Sequence, residues 1–88
     1  MKYVMFYETD PASLPKAAAY VAAHRARLDA FHARGLLLMA GPLMEPTDRA
    51  LGVFTTREAA EEFISGDPFV VNGVVTKWSV RVWNEVLA

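Results

Sequence analysis

KAAAYVAAHRARLDAFHARGLLLMAGPL, residues 16–43, is the stretch that decides the fold, because a helix pattern passes directly into a strand pattern. From Lys16 to Arg34, apolar residues return at alternating steps of four and three, the spacing of one helix face. Gly35 follows, and glycine commonly ends helices in the left-handed conformation. The apolar run from Leu36 to Leu43 then predicts a strand. We therefore expect a long helix that leads directly into a sheet.

Three other segments have the composition of strands, because they are rich in aromatic and β-branched side chains. They are residues 2–8, 50–55 and 75–85. Turns are predicted at Asp10–Pro15 and at Glu45–Asp48, where proline sits among aspartate, serine or threonine.

A second helix is predicted to begin at Thr55-Thr56-Arg57-Glu58, which matches the capping box. In that motif a threonine oxygen accepts a backbone amide three residues on, and the glutamate reaches back to the cap. The helix should end at Gly66. Its predicted inward residues are Ala59 or Ala60, Phe63 and Ile64. Asp67-Pro68 has the form of an N-cap before an N1 proline, which predicts a short helix over 68–72.

The predicted order of elements is β-α-β-β-α-β, with the short helix before the last strand. A chain of 88 residues has room for one core, so residues 1–88 are predicted to form a single domain. In so short a chain this order favours an α+β, ferredoxin-like fold. Such a fold is an antiparallel sheet with both long helices on one face.

The strands are apolar on both faces, which this fold alone does not explain. In the first strand Tyr3, Met5 and Tyr7 alternate with Val4 and Phe6. The helices cover only one of these faces. Burying ~600 Å² of the other at about 25 cal/mol per Å² gives a gross ~15 kcal/mol before association entropy is subtracted. The pattern predicts a homodimer through the sheet face; the alternative is that the rings thicken the core of a monomer.

The composition excludes several classes of function. Nine basic against ten acidic residues leave a formal charge of -1, so no basic field favours a nucleic-acid partner. Cysteine is absent, which excludes disulfides, thiolate metal sites and cysteine nucleophiles. No apolar run approaches the roughly 20 residues of a membrane span, and no signal peptide is visible. We expect a soluble cytoplasmic protein with no membrane partner, and neither a cofactor motif nor a metal-ligand cluster is present.

His24 lies on the apolar stripe of the first helix, where its two ring nitrogens need partners away from water. It is either a core histidine bonded to backbone or an acid/base group at the wall of a cavity. Asp67 is its natural partner, because a carboxylate on one ring nitrogen fixes the tautomer and stabilises the imidazolium. Asp67 can equally be an N-cap alone, and sequence spacing cannot show that the two residues meet.

The other polar candidates are weaker. His32 is one step off the stripe and is expected on the surface, eight residues from His24 and therefore unable to share a metal with it. Arg25 and Arg27 flank the stripe and are expected to be solvated. The large aromatic residues at strand spacing could line a pocket, but they are expected first of all to be packing and interface residues. They are Tyr3, Tyr7, Trp78 and Trp83.

Two blocks of this sequence resemble the YciI-like (YCII-related) family, and the resemblance covers essentially the whole chain. The first block is the helix histidine His24, Gly35 eleven positions on, and the strand that ends in Gly41-Pro42. The second is Asp67-Pro68-Phe69 before the last strand. Asn72 departs from the pattern, because a small residue is common there in the family.

The resemblance implies a ferredoxin-like, dimeric α+β barrel in which His24 and Asp67 are the catalytic pair. The substrate pocket it implies consists of Tyr7, Met39, Gly41, Pro42, Pro68 and Phe69. One characterised relative eliminates chloride from a chlorinated hydroxyhydroquinone, which is proton-driven chemistry of the kind that a His–Asp pair can perform.

The leading functional hypothesis is therefore a cytoplasmic homodimer that works without a cofactor as a lyase or isomerase on a small organic molecule, aromatic ones included. A second hypothesis is a non-catalytic module that binds a small ligand or assists another enzyme. A third is a cofactor-independent quinol monooxygenase. Shared architecture does not choose among the three.

Overall fold

The computed structural model describes residues 1–88 and contains four strands, three α-helices and one 3-10 helix. The strands are β1 (Lys2–Glu8), β2 (Leu37–Pro42), β3 (Arg49–Phe54) and β4 (Lys77–Trp83). The α-helices are α1 (Val21–Ala33), α2 (Arg57–Gly66) and α3 (Pro68–Val71), and the 3-10 helix spans Leu14–Ala19. No helix combines the length and the apolar character that crossing a membrane requires.

The strands form one antiparallel sheet in the order β2-β3-β1-β4. β1 is central, and its Met5 lies opposite Gly52 of β3 and Val80 of β4. Residues that lie opposite one another point to the same face, so Met5 and Val80 share the face that the helices cover. The α+β, ferredoxin-like fold is therefore confirmed, including the short helix before the last strand.

The core lies between α2 and the sheet. Ala59, Ala60, Phe63 and Ile64 are all buried, so the predicted inward face of α2 is correct. The Phe63 ring meets the ring of Phe31 from α1 at 5.2 Å in an edge-to-face arrangement. Such aromatic pairs contribute about 0.5–1.5 kcal/mol beyond the burial of their area.

α1 packs differently from α2, because Phe31 is its only buried residue. Val21, on the predicted apolar stripe, remains 50% exposed. The stripe through Val21, His24 and Leu28 faces a cavity rather than a packed core. This difference between the two helices creates the space for a site.

The long helix predicted from Lys16 to Arg34 is interrupted. Its first part is the 3-10 helix, in which the amide of Tyr20 donates to the carbonyl of Ala17, and the α-helix starts only after Tyr20. Pro15 lies in the first turn and supplies no backbone donor, which favours a short 3-10 segment there. The predicted helix end is correct, since Gly35 has a φ of 74°.

The start of α2 is shifted by one residue from the capping box. Thr56 rather than Thr55 is the N-cap, and its hydroxyl oxygen accepts the amide of Ala59 at 3.1 Å. Glu58 therefore lies one position too early to reach back to the cap. It remains in the first turn, where a negative charge suits the helix dipole.

The sheet face opposite the helices carries apolar side chains, as the alternation of the strands predicts. The strand register places Val4 opposite Val53 and Phe6 opposite Leu51 on this face. Met39, 65% exposed, lies beside Val53 on β2. We call this surface the open face; its pairing with a second copy stays a prediction.

Candidate active site

A cavity of about 400 Å³ lies between the sheet on one side and the 3-10 helix and α1 on the other. Met5 and Tyr7 of β1, Val21 and His24 of α1, and Phe69 of α3 are among its lining residues. Most of the wall is apolar, as is usual for sites that bind small molecules. We call the part of the wall that Tyr7 and His24 form the inner end of the cavity.

His24 of the cavity wall meets Asp67, which is buried behind it, although 43 residues separate them in the chain. His24 Nδ1 lies 2.7 Å from Asp67 Oδ1. The Asp67 side chain is completely buried, whereas that of His24 keeps 18% of its surface exposed. An ionised carboxylate has only acceptors, so this contact fixes the Nδ1–H tautomer of a neutral imidazole.

Asp67 is held by two further donors, which explains how a carboxylate is accommodated in full burial. Its Oδ1 accepts the amide of Phe69 at 3.1 Å, so the N-cap interpretation is correct at the same time. Its Oδ2 accepts the hydroxyl of Tyr7 at 2.7 Å. The Asp67 carboxylate therefore caps the N-terminus of α3, orients His24 and links both of them to Tyr7 of β1.

Two aromatic rings fix the plane of the imidazole. Phe69 stacks on His24 with ring centroids 3.9 Å apart and planes only 6° from parallel. Phe63 approaches from the edge at 6.3 Å. Because the Asp67 contact fixes the direction of the ring and these neighbours fix its plane, His24 has little rotational freedom.

His24 Nε2 is the ring nitrogen left for chemistry. Nδ1 holds Asp67, and Nε2 has no hydrogen-bond partner in the protein and is not among the buried unpaired atoms. Since His24 lines the cavity, a bound molecule can reach this nitrogen. In the neutral tautomer Nε2 carries a lone pair, so the arrangement can take a proton there and return it.

Tyr7 has a role that its sequence position does not reveal. Burial, and next the negative charge of Asp67, raise the pKa of the Tyr7 phenol far above its ordinary value. Tyr7 therefore keeps its proton and donates it to Asp67, and it does not serve as a base.

Of the six pocket residues that the family resemblance implied, four line the cavity and two do not. Tyr7, Gly41, Pro42 and Phe69 line the cavity. Met39 and Pro68 do not. A register shift between Leu37 and Met39 turns Met39 to the open face, and Pro68 is the first residue of α3, where its carbonyl accepts the side chain of Asn72.

Most of the cavity wall was not predictable from the sequence. The stripe of α1 was a usable signal, because Val21 and Leu28 lie on it with His24. No sequence signal marked the outer polar residues, since they come from turns and strand ends that only the fold brings together. The outer polar residues are Thr9, Arg25, Thr47, Asp48 and Arg49.

The remaining polar candidates have structural partners. Exposed His32 uses Nδ1 on the carbonyl of Leu37 at 2.8 Å. Arg25 pairs with Asp29 one helical turn away at 3.1 Å. Arg27 is not solvated as expected, because its guanidinium donates to the carbonyls at the end of α2. No group of three or more acidic or histidine side chains is placed to hold a metal ion.

Comparisons with known proteins identify the family that this chain matches. The pattern of the YCII-related domain matches residues 1–84. Protein YciI from Escherichia coli O6:H1 and Protein YciI from Shigella flexneri are each 33% identical over 97 aligned positions, covering 98% of this chain and 99% of theirs.

A solved structure gives an independent comparison of the fold. It is 5-chloro-2-hydroxyhydroquinone dehydrochlorinase from Burkholderia phenoliruptrix AC1100 in complex with 2,5-dihydroxybenzoquinone. The two chains superpose with a TM-score of 0.77 over 96% of this chain and 94% of the other, at 19% identity. That likeness supports the fold.

Proposed function

The chain belongs to the YCII-related family, and from this membership and the cavity geometry we propose that it catalyses acid/base chemistry on a small organic molecule without a cofactor. The reaction class is elimination or isomerisation. The observation that carries the proposal is His24, whose Nδ1 is bound to a fully buried carboxylate while Nε2 is left free at the cavity wall.

In the proposed mechanism, neutral His24 removes a proton from the substrate at Nε2. The electron pair of the broken bond forms a new double bond, and in an elimination the leaving group departs with its own pair. In an isomerisation, Nε2 returns the proton to a different atom. Asp67 stabilises the imidazolium between these steps and prevents rotation of the ring, so it is a positioning residue.

The cavity supports a small, largely apolar substrate. A volume of about 400 Å³ is near the lower end of the range of ligand sites, about 300–1,000 Å³. The dehydrochlorinase of similar fold is named for a chlorinated, hydroxylated aromatic ring. We include aromatic molecules in the proposed substrate class for that reason.

We also propose that two copies pair through the open face. Its apolar side chains are Val4, Phe6, Met39, Leu51, Val53 and Trp83. Met39 and Trp83 remain 65% and 50% exposed in one chain, which is unfavourable for large side chains in water. A sheet-to-sheet contact covers both.

The experiment compares His24→Gln with His32→Gln, since the second histidine is exposed and binds only backbone. A screen of small enols, phenols and halogenated hydroxyaromatics identifies a turned-over substrate in the wild-type protein. We expect His24→Gln to lower kcat by about 10²–10⁴-fold and His32→Gln to leave it within about twofold. Tight binding without turnover of any compound would instead identify a ligand-binding module.

A further inference from the structure

Each polar hydrogen that Tyr7 and neutral His24 carry on their side chains is used in a hydrogen bond to Asp67. The carboxylate accepts one hydrogen bond from the Tyr7 hydroxyl, one from His24 Nδ1–H and one from the amide of Phe69. A phenol has one proton, and a neutral imidazole has one N–H. Neither Tyr7 nor neutral His24 therefore has a proton left to offer to a molecule in the cavity.

This count fixes the hydrogen-bond polarity of the inner end of the site. Both residues line the cavity. Any hydrogen bond that Tyr7 makes to a ligand is one that its oxygen accepts, and the same holds for His24 Nε2. The raised pKa of the Tyr7 phenol supports this, because the proton stays on the oxygen that donates it to Asp67. A ligand at this end of the cavity therefore meets two acceptors, the Tyr7 hydroxyl oxygen and His24 Nε2, on two residues that both donate to Asp67.

The charged donors that line the cavity, Arg25 and Arg49, belong to its outer end and face carboxylates of the protein, and Thr9 and Thr47 add hydroxyl groups there. Arg49 lies 3.3 Å from Glu8 and 3.9 Å from Asp48. Arg25 binds Asp29 at 3.1 Å. These side chains are more than half exposed, so they can bind a ligand only weakly and in competition with water.

We propose that the site selects small rings that carry at least two hydroxyl groups, one donating to His24 Nε2 and the other to Tyr7. Tyr7 is then the residue that distinguishes a diol from a mono-ol. The inference rests on the proposed function for the role of Nε2 and adds the class of ligand. A ligand carbonyl or ether oxygen placed opposite either acceptor gains no hydrogen bond from the protein and loses the one that it accepted from water.

The test measures dissociation constants by NMR shift titration in oxygen-free buffer. The probes are catechol, resorcinol and hydroquinone, which set the second hydroxyl at three spacings, together with phenol and anisole. In the wild-type protein we expect the best diol to bind about two- to tenfold more tightly than phenol, and phenol more tightly than anisole by a similar factor.

The matched variants are Tyr7→Phe and Tyr3→Phe. Both remove one hydroxyl from the same face of β1, but Tyr3 does not line the cavity or bond to Asp67. We expect Tyr7→Phe to abolish the advantage of the diol over phenol, and Tyr3→Phe to keep it. A diol advantage unchanged in Tyr7→Phe would overturn the inference.

Two results in the wild-type protein decide the matter even where Tyr7→Phe does not fold. If anisole binds as tightly as phenol, or if no diol binds more tightly than phenol, the inference is wrong. Neither result depends on turnover. Diol selection without catalysis would refute the proposed function alone, and catalysis by His24 without diol selection would refute this inference alone.

Discussion

Replacing Asp67 by alanine should remove a large fraction of the stability of the protein. The N-cap bond to Phe69 is worth about 1 kcal/mol. The bonds from Tyr7 and His24 end on a charged group, and such bonds contribute about 1.5–3 kcal/mol each. His24 is partly exposed and regains a water, whereas Tyr7 is only 3% exposed and recovers less of its lost bond. We therefore expect a loss of about 3–5 kcal/mol.

That loss is large beside the roughly 4–13 kcal/mol expected for 88 residues. The assay is urea unfolding followed by circular dichroism, with the slope checked for a two-state transition. The control is Asp29→Ala, which breaks a surface pair on α1 and should cost less than about 0.5 kcal/mol. A loss below about 1 kcal/mol for Asp67→Ala would refute the three-donor arrangement.

Three further predictions concern the Tyr7 phenol, the open face and the Asp67 carboxylate. The raised pKa of Tyr7 means that its stabilising contribution is complete below the unfolded pKa of about 10 and is lost as the pH rises above it; Tyr7→Phe should flatten this alkaline decline in urea unfolding. Met39→Glu on the open face should halve the mass measured by light scattering, whereas Val71→Glu, equally exposed on α3, should not. Asp67→Asn places an amide donor against Tyr7 and frees the phenol proton, so anisole should gain affinity relative to phenol in a shift titration.

The fold was predictable because its signals are local. The aromatic and β-branched residues of the segment 2–8 mark a strand, and the inward residues of α2 follow from helical spacing. Asp67-Pro68 identified the start of α3 because capping depends on adjacent residues alone. The errors are also local, since the first turn of a helix and the position of a cap depend on small energy differences, as at Pro15 and Thr56.

The candidate site was predictable only in part. A histidine on an apolar stripe was visible in the sequence, but the sequence could not tell whether α1 packs tightly or stands away from the sheet. The bond between Tyr7 and Asp67 spans 60 residues and depends on how α3 meets β1. Met39 was misplaced because the shift in β2 moves it to the other face, and no residue type announces that shift.

The central claim is that Asp67 holds His24 with its proton on Nδ1 and its free lone pair on Nε2. Long-range ¹⁵N–¹H NMR of the imidazole reports directly which nitrogen is protonated, with His32 as the internal reference. In the wild-type protein above the imidazole transition, we expect the Nδ1–H form of His24, and Asp67→Ala should abolish this preference. An Nε2–H form in the wild-type protein would contradict both the proposed base and the selection of diols.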